Sequence, residues 1–367
     1  MKKKNTICSQ IPPIGKQLSN YSGAEIIDRL GTDIIRNVVT SILSGGNVRA
    51  LTESLTRRRL NLSNAAMLML YLECLKNNDN FSANLHRLVA DELKKEKLDR
   101  ESRIFLNWLV GLTGKGIQNV LRSDTESFQE YLSNLDESLT KSVIESEALF
   151  GALQTIFTDK NNYKYKLGWR ELSQIFTAVG AQTLTIRGSE KSMYGKYFEK
   201  LVLGSLLTLL GFSLRNDKKQ KLEKIFWLSE RQNKRESDAT VIYKPGIGAR
   251  FDIGFIGPGN PEISLDKVSR FEREIEIGRQ KHYMSTIILV DRIGARSRIT
   301  NMAEKIDGNI IQMSMTYWVK EVAVILHKRM GFSHDLLNLS EEESVKYIKK
   351  HMKKIDLKHF VEQPHIS

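Results

Sequence analysis

Two carboxylates stand ten residues apart in the second half of the chain, each beside an apolar run. Asp252 interrupts Arg-Phe-Asp-Ile-Gly-Phe-Ile, and Glu262 follows a turn-rich stretch made of Gly257, Pro258, Gly259, Asn260 and Pro261. A hairpin through that stretch would bring the two acids together. Paired carboxylates repel unless a cation neutralises them, and hard oxygen ligands select Mg²⁺. Such an ion polarises a phosphodiester and activates a water for in-line attack. Without the hairpin, the same residues are an edge-strand aspartate and a loop glutamate, both in solvent. A third acid, Glu199, lies in Tyr-Gly-Lys-Tyr-Phe-Glu-Lys-Leu-Val, on a helix before the strands. It joins the pair only if it points at the strand ends. Asp238 opens the strand preceding Asp252 and is a rival ligand.

The elements that must position these acids are legible as two different periods. From about Ile26 to Ala181, apolar residues recur at three- and four-residue steps, with almost no proline to interrupt long helices. No fixed-period repeat marks a solenoid. The run Arg57-Arg58-Arg59 reads as a solvated helix end in preference to a DNA contact. After an apolar helix over 195–212, closed by Gly211, β-branched runs predict strands at 239–243, 249–256 and 261–265. A helix over 266–280, a buried strand over 285–292, a helix over 296–306, a strand over 309–314 and an amphipathic helix over 316–331 complete the order. Strands joined by helices predict an α/β (α+β) fold, a mixed sheet flanked by helices. The closing segment alternates in charge and reads as a solvated basic helix.

At 367 residues, two domains are the prior. Hydrophobic residues at 41% and charged residues at 27% exclude a wholly disordered chain. No run approaches the roughly 18 apolar residues of a membrane span, and no apolar segment follows the basic N-terminus. Two cysteines, Cys8 and Cys74, exclude a disulfide framework and a zinc finger, which favours a cytoplasmic protein. Lys and Arg number 56 against 43 acids, a net charge of +13. The surplus is uneven: 31 basic and 22 acidic residues follow position 190, against 25 and 21 before it. A basic balance of this kind favours nucleic acid or an anionic surface as partner.

The element order of helix with Glu199, strand with Asp252, strand with Glu262, then helix–strand–helix–strand resembles the PD-(D/E)xK nuclease superfamily, and within it the type II restriction endonucleases. The phrases Arg-Glu-Ser-Asp-Ala-Thr-Val-Ile-Tyr (235–243) and Arg-Phe-Asp-Ile-Gly-Phe-Ile-Gly-Pro-Gly-Asn-Pro-Glu-Ile-Ser-Leu (250–265) carry the resemblance. It covers roughly residues 188–331. It implies a helical N-terminal domain over 1–187 for recognition or dimerisation, a catalytic core over 188–335 and a basic helical tail over 336–367. It further implies Mg²⁺-dependent, site-specific cleavage of double-stranded DNA, leaving a 5′-phosphate and a 3′-hydroxyl. By this resemblance Asp252 and Glu262 hold the metal and Glu199 completes its site. A palindromic target implies a homodimer, and restriction implies a cognate DNA methyltransferase as functional counterpart.

The chain departs from the family pattern in two places. Phe251, not proline, precedes Asp252, and Ser264 stands where the lysine two residues after the second carboxylate is expected. Lys267 is the nearest substitute, able to orient the water or steady developing charge. Arg187, Lys191, Lys196, Arg296 and Arg298 are candidates for phosphate contacts. Two other readings stay open: a DNA-binding protein with a degenerate nuclease core, favoured by Ser264, and a repair or recombination nuclease. The glycines of Asp-Ile-Gly-Phe-Ile-Gly-Pro-Gly precede a strand, not the helix a dinucleotide site requires. No phosphate-binding GxxxxGK[ST] loop occurs, and the seven histidines are scattered.

Overall fold

The computed structural model describes residues 6–20, 25–95, 97–114, 125–215, 221–229, 237–254, 284–291 and 309–362. Its elements are α1 (Pro13–Ser19), α2 (Ile26–Leu30), α3 (Thr32–Leu43), α4 (Val48–Asn77), α5 (Phe81–Leu93), α6 (Arg100–Leu109) and α7 (Thr125–Phe150). There follow β1 (Thr155–Thr158), β2 (Lys164–Leu167), α8 (Trp169–Leu209), β3 (Ser213–Leu214), β4 (Ile225–Leu228), β5 (Ala239–Lys244) and β6 (Ile247–Gly254). The order closes with β7 (Met284–Val290), β8 (Asn309–Gln312), α9 (Trp318–Met330), α10 (Glu341–Met352) and α11 (Lys358–Val361). No helix among the described residues is long and apolar enough to cross a membrane.

The chain forms two compact units, and they are not consecutive segments. One comprises Met1–Tyr21 and Thr56–Lys191, the other Ser22–Leu55 and Ser192–Ser367. The position chosen from sequence as a boundary, 187/188, lies inside α8. Ser, Gly and charged residues over 188–195 look like a break, yet an interior glycine costs a helix only about 1 kcal/mol relative to alanine. The basic tail is also no separate, solvated piece. Ile348, Met352, Leu357 and Phe360 are buried, and Phe360 lies against Gly204, where a Cβ would come within 2.5 Å of its ring. That glycine is needed for close approach. Arg36 of α3 donates to the carbonyls of Met352 and Ile355, the latter at 2.7 Å.

The first unit is helical, with a core of Tyr71, Phe81, Leu85, Phe105, Trp108 and Leu109. Its buried polar groups fasten distant segments. Arg59 is not at a helix end but within α4, buried, donating to the carbonyl oxygens of Leu18 and Ser19 at 2.9 and 3.2 Å. Arg57 and Arg58 are exposed. Buried Glu92 accepts from the backbone N–H of Ile7 and of Cys8, at 2.6 and 3.1 Å.

The second unit holds the mixed sheet, in the order β3-β4-β5-β6-β7-β8. β4, β5 and β6 form an antiparallel meander, and β6, β7 and β8 run parallel. β5 turns into β6 through Pro245 and Gly246. Proline presets the second turn position and Gly246 takes φ 80°, the residue pair of a type II turn. The first strand of the meander is therefore Ile-Phe-Trp-Leu (225–228), which its charged flanks hide in the sequence. β6 is bordered by β5 on one side and β7 on the other, and the 261–265 segment lies outside the described residues. β7 lies between two parallel neighbours and buries Ile287, Ile288, Leu289 and Val290, as a run apolar on both faces requires. The C-terminal part of α8 supplies Phe198, Leu201, Val202, Leu203, Leu206 and Leu207, all fully buried. Trp318 of α9 is also fully buried and donates through its indole N–H to the Ile42 carbonyl at 3.0 Å.

Candidate active site

The acid that most needs explaining is Asp252. It sits on β6 between Phe251 and Ile253, both fully buried, and is itself only 1% exposed. Strand alternation gives Asp252 the face shared with Arg250 and Gly254, opposite its apolar neighbours. A carboxylate withdrawn from water to this extent requires positive charge or hydrogen-bond donors around it to stay ionised.

The meander brings Asp238 to its side. The β5–β6 register pairs Ala239 with Phe251, so continuing it by one step sets Asp238 against Asp252. Asp238 Oδ2 accepts the backbone N–H of Ile253 at 2.9 Å, which prolongs the ladder with a side chain. The Asp238 carbonyl in turn accepts from the Ser229 N–H at 3.0 Å, which fixes the end of β4 in the same place.

Glu199 completes the arrangement from the helix. A cavity of about 200 Å³ is lined by Glu199, Lys196, Tyr197 and Lys200 of α8 together with Ser229 and Asp238. Phe198 and Leu201 of the same turn are fully buried, which turns α8 so that half-buried Glu199 faces the strand ends. The structure thus brings Glu199 to Asp238, and Asp238 to Asp252. Glu262, Ser264 and Lys267 lie outside the described residues, as do Arg296 and Arg298. Lys196 lines the cavity, whereas Arg187 is an exposed residue of the helical unit.

Three residues escaped the sequence reading. Ser229 follows a strand only four residues long. Lys200 is indistinguishable in the sequence from any helix lysine, and only the fold puts it in the cavity wall with Glu199. Asp291, at the end of β7, is only 7% exposed, and its N–H donates to the Gly254 carbonyl of β6 at 3.3 Å. Its signal was available: an acid directly following Ile-Ile-Leu-Val at the C-terminal end of a parallel strand, where α/β sheets place polar sites.

The donor set consists of carboxylate oxygens, the chemistry that suits a hard divalent cation such as Mg²⁺. Among the described residues no group of three His, Cys, Asp or Glu side chains is already drawn together as a metal cluster.

Comparison with known proteins identifies the family. The model of the CfrBI restriction endonuclease family matches residues 32–298, a span that includes Glu199, Asp238 and Asp252. The chain is 37% identical over 357 residues to the type II restriction enzyme CfrBI of Citrobacter freundii, covering 94% of this chain and 95% of that protein. The chain belongs to the CfrBI restriction endonuclease family. No solved structure matches it. The family match begins in α3 and runs through the helical unit into the sheet, so it includes parts of both units and most of the N-terminal half that the resemblance left out.

Proposed function

We propose that this protein is a site-specific endonuclease that hydrolyses phosphodiester bonds of double-stranded DNA, with Mg²⁺ as cofactor. The observation that carries the proposal is the Asp238 carboxylate held on the Ile253 N–H, beside buried Asp252 and in the wall of a cavity shared with Glu199. Family membership supports the same reaction.

Asp252, Asp238 and Glu199 would hold the cation, with Glu262 as a further ligand. When bound, the ion polarises the phosphodiester and lowers the pKa of a water. The chain's own residues do the rest. The Ile253 N–H fixes one Asp238 oxygen, so the other is presented in a single direction. Lys196 and Lys200 bring ammonium groups to the cavity, suited to a phosphate oxygen beside the acids. Lys267 assists the attacking water. The basic balance of the chain strengthens DNA binding in a salt-dependent way. Two copies would act on a two-fold DNA site, with a methyltransferase protecting that sequence in the same cell.

Incubation of the purified protein with long unmethylated duplex DNA, with Mg²⁺ or with EDTA, tests this. Discrete fragments only with Mg²⁺ are expected. Retarded but intact DNA under every divalent cation would overturn the proposal and leave a binding protein. A smear would replace it with a nuclease indifferent to sequence.

A further inference from the structure

Residues 133–164 form most of α7, the following loop and β1, yet none of them is buried. This is unusual because the stretch is not polar. The apolar stripe of α7 begins at buried Leu132, which packs in the helical core, and continues through Leu135 and Leu139 to Val143 and Phe150. The core ends before the stripe does. Beyond it Ile144 is 62% exposed, Leu149 74%, Phe150 75%, and, in the adjoining hairpin, Ile156 55%. The pieces are contiguous: the Phe150 ring lies 6.1 Å from that of Trp169, whose indole N–H donates to the Gly151 carbonyl. β1 pairs with β2 and, among the described residues, with no other strand, so one edge of a Thr-Ile-Phe-Thr strand is open. An isolated two-stranded ribbon is marginal in water, and an apolar open edge invites pairing.

We propose that this surface, the C-terminal half of α7 with the β1–β2 hairpin, is where a second copy of the chain docks. The proposal deepens the two-copy reading given above and rests on it only for its biological purpose. Two arguments select a copy of the same chain. The first is charge. Glu145 and Glu147 stand at the negative end of α7, whose last turn holds no basic residue. The exposed face of β2 carries Lys164 and Lys166, alternating with buried Tyr165 and Leu167. One patch thus carries an acidic flank and a basic flank around an apolar centre, which is the complementarity a two-fold axis uses. A DNA backbone would meet the acidic flank as a repulsion. The second is area. With Leu153 and Phe157 added, the exposed large side chains sum to roughly 600 Å², taking about 150–250 Å² for a whole large side chain. A standard interface takes roughly 800 Å² per partner, and the β1 edge supplies the remainder.

The test is the mass of the full-length protein in solution without DNA, from nanomolar to tens of micromolar. A species of twice 42.0 kDa is expected. Leu149→Glu with Ile156→Asp should weaken self-association roughly 30-fold or more, the scale of losing central interface side chains. Because both side chains are exposed in the single chain, the melting temperature should hold when parent and variant are compared at concentrations where both are monomeric. Glu145→Lys with Glu147→Lys should also weaken it, and adding Lys164→Glu with Lys166→Glu should restore it. A chain that stays monomeric throughout, or a dimer that these substitutions leave untouched, would overturn the proposal. Mass is read without cleavage, so a monomer that still cuts DNA at discrete sites removes this surface and spares the nuclease. A dimer that never cuts does the reverse.

Discussion

Glu92 in the helical unit and Asp252 in the sheet unit are both carboxylates hidden from water, and they are hidden for different ends. Glu92 is 7% exposed and receives the N–H groups of Ile7 and Cys8, so its charge ties the start of the chain to α5. Arg59 does the equivalent with the carbonyls of Leu18 and Ser19. In the sheet unit the acids instead collect: Asp252 on β6, Asp238 beside it, and Glu199 across a cavity lined by two lysines. A buried charge matched by backbone donors from far along the chain is a fastener. Here Asp252 is buried, and Asp238 and Glu199 are half-buried in the wall of the cavity, a convergence of carboxylates that motivates the cation site proposed above. The difference teaches that burial alone does not mark a site; convergence does.

The largest effect should separate the two acids outright. Asp252→Asn is expected to lower DNA cleavage roughly 100- to 1000-fold while leaving the melting temperature unchanged or raised, because it relieves a cluster of like charges. Asp238→Asn should lower cleavage too, by less, since one of its oxygens is committed to the Ile253 N–H. Single-turnover cleavage with parallel melts measures both. Cleavage surviving Asp252→Asn would remove the site from β6.

Glu92→Ala should show the mirror image. One buried and one half-buried N–H group lose their acceptor, for a loss of about 2–4 kcal/mol in urea unfolding, with cleavage per folded molecule intact. A drop in activity without a drop in stability would make Glu92 part of the function and erase the contrast.

Acid should affect both units alike. Burial lowers the pKa of His86 despite the Asp136 carboxylate 3.2 Å from its ring nitrogen, and burial lowers that of His334, whose Nε2 lies 3.1 Å from the Leu209 carbonyl. Both therefore bind protons more readily when unfolded. Their stabilising contribution is fully present above the ordinary value of 6.5 and is lost as the pH falls through their lowered folded values. Melting curves from about pH 8 down to about pH 5 should show a falling midpoint below that point; a flat profile would contradict it.

The smallest effect concerns Asp99, the N-cap of α6. Partial burial pushes its pKa up, but the Ser102 N–H and hydroxyl and the Lys16 ammonium outweigh that and hold it at about 2. Asp99→Ala should cost about 1 kcal/mol near neutral pH. Because the folded pKa is depressed, the gap between variant and parent should close as the pH falls from 3.8 towards 2.

Much of this architecture could be read from period and composition. The helical first half, β5, β6, β7, β8 and α9 all appear in the sequence as runs of the right period, and the mixed sheet follows from their order. β4 stayed hidden because Ile-Phe-Trp-Leu is too short to show alternation. The tail misled because its lysines dominate the eye while Ile348, Met352 and Phe360, spaced along it, do the packing. At the site, Glu199 and Asp252 were visible as acids within apolar runs. Asp238 was visible only as a rival, since its standing depends on which strand neighbours β6. The Pro245-Gly246 turn decides that, by folding β5 back onto β6.

The division of the chain into units has a consequence for how the protein is born. α3 belongs with the sheet, yet Ser22–Leu55 is translated before nearly all of the rest. The residues that receive it, Trp318 for Ile42 and the Met352 and Ile355 carbonyls for Arg36, emerge much later. At about 5–20 residues per second, roughly 15 to 60 seconds pass on the ribosome before Val38, Val39 and Ile42 can be covered. Throughout that interval the apolar face of α3 lacks its partners, so the sheet unit is completed only long after its first helices are made.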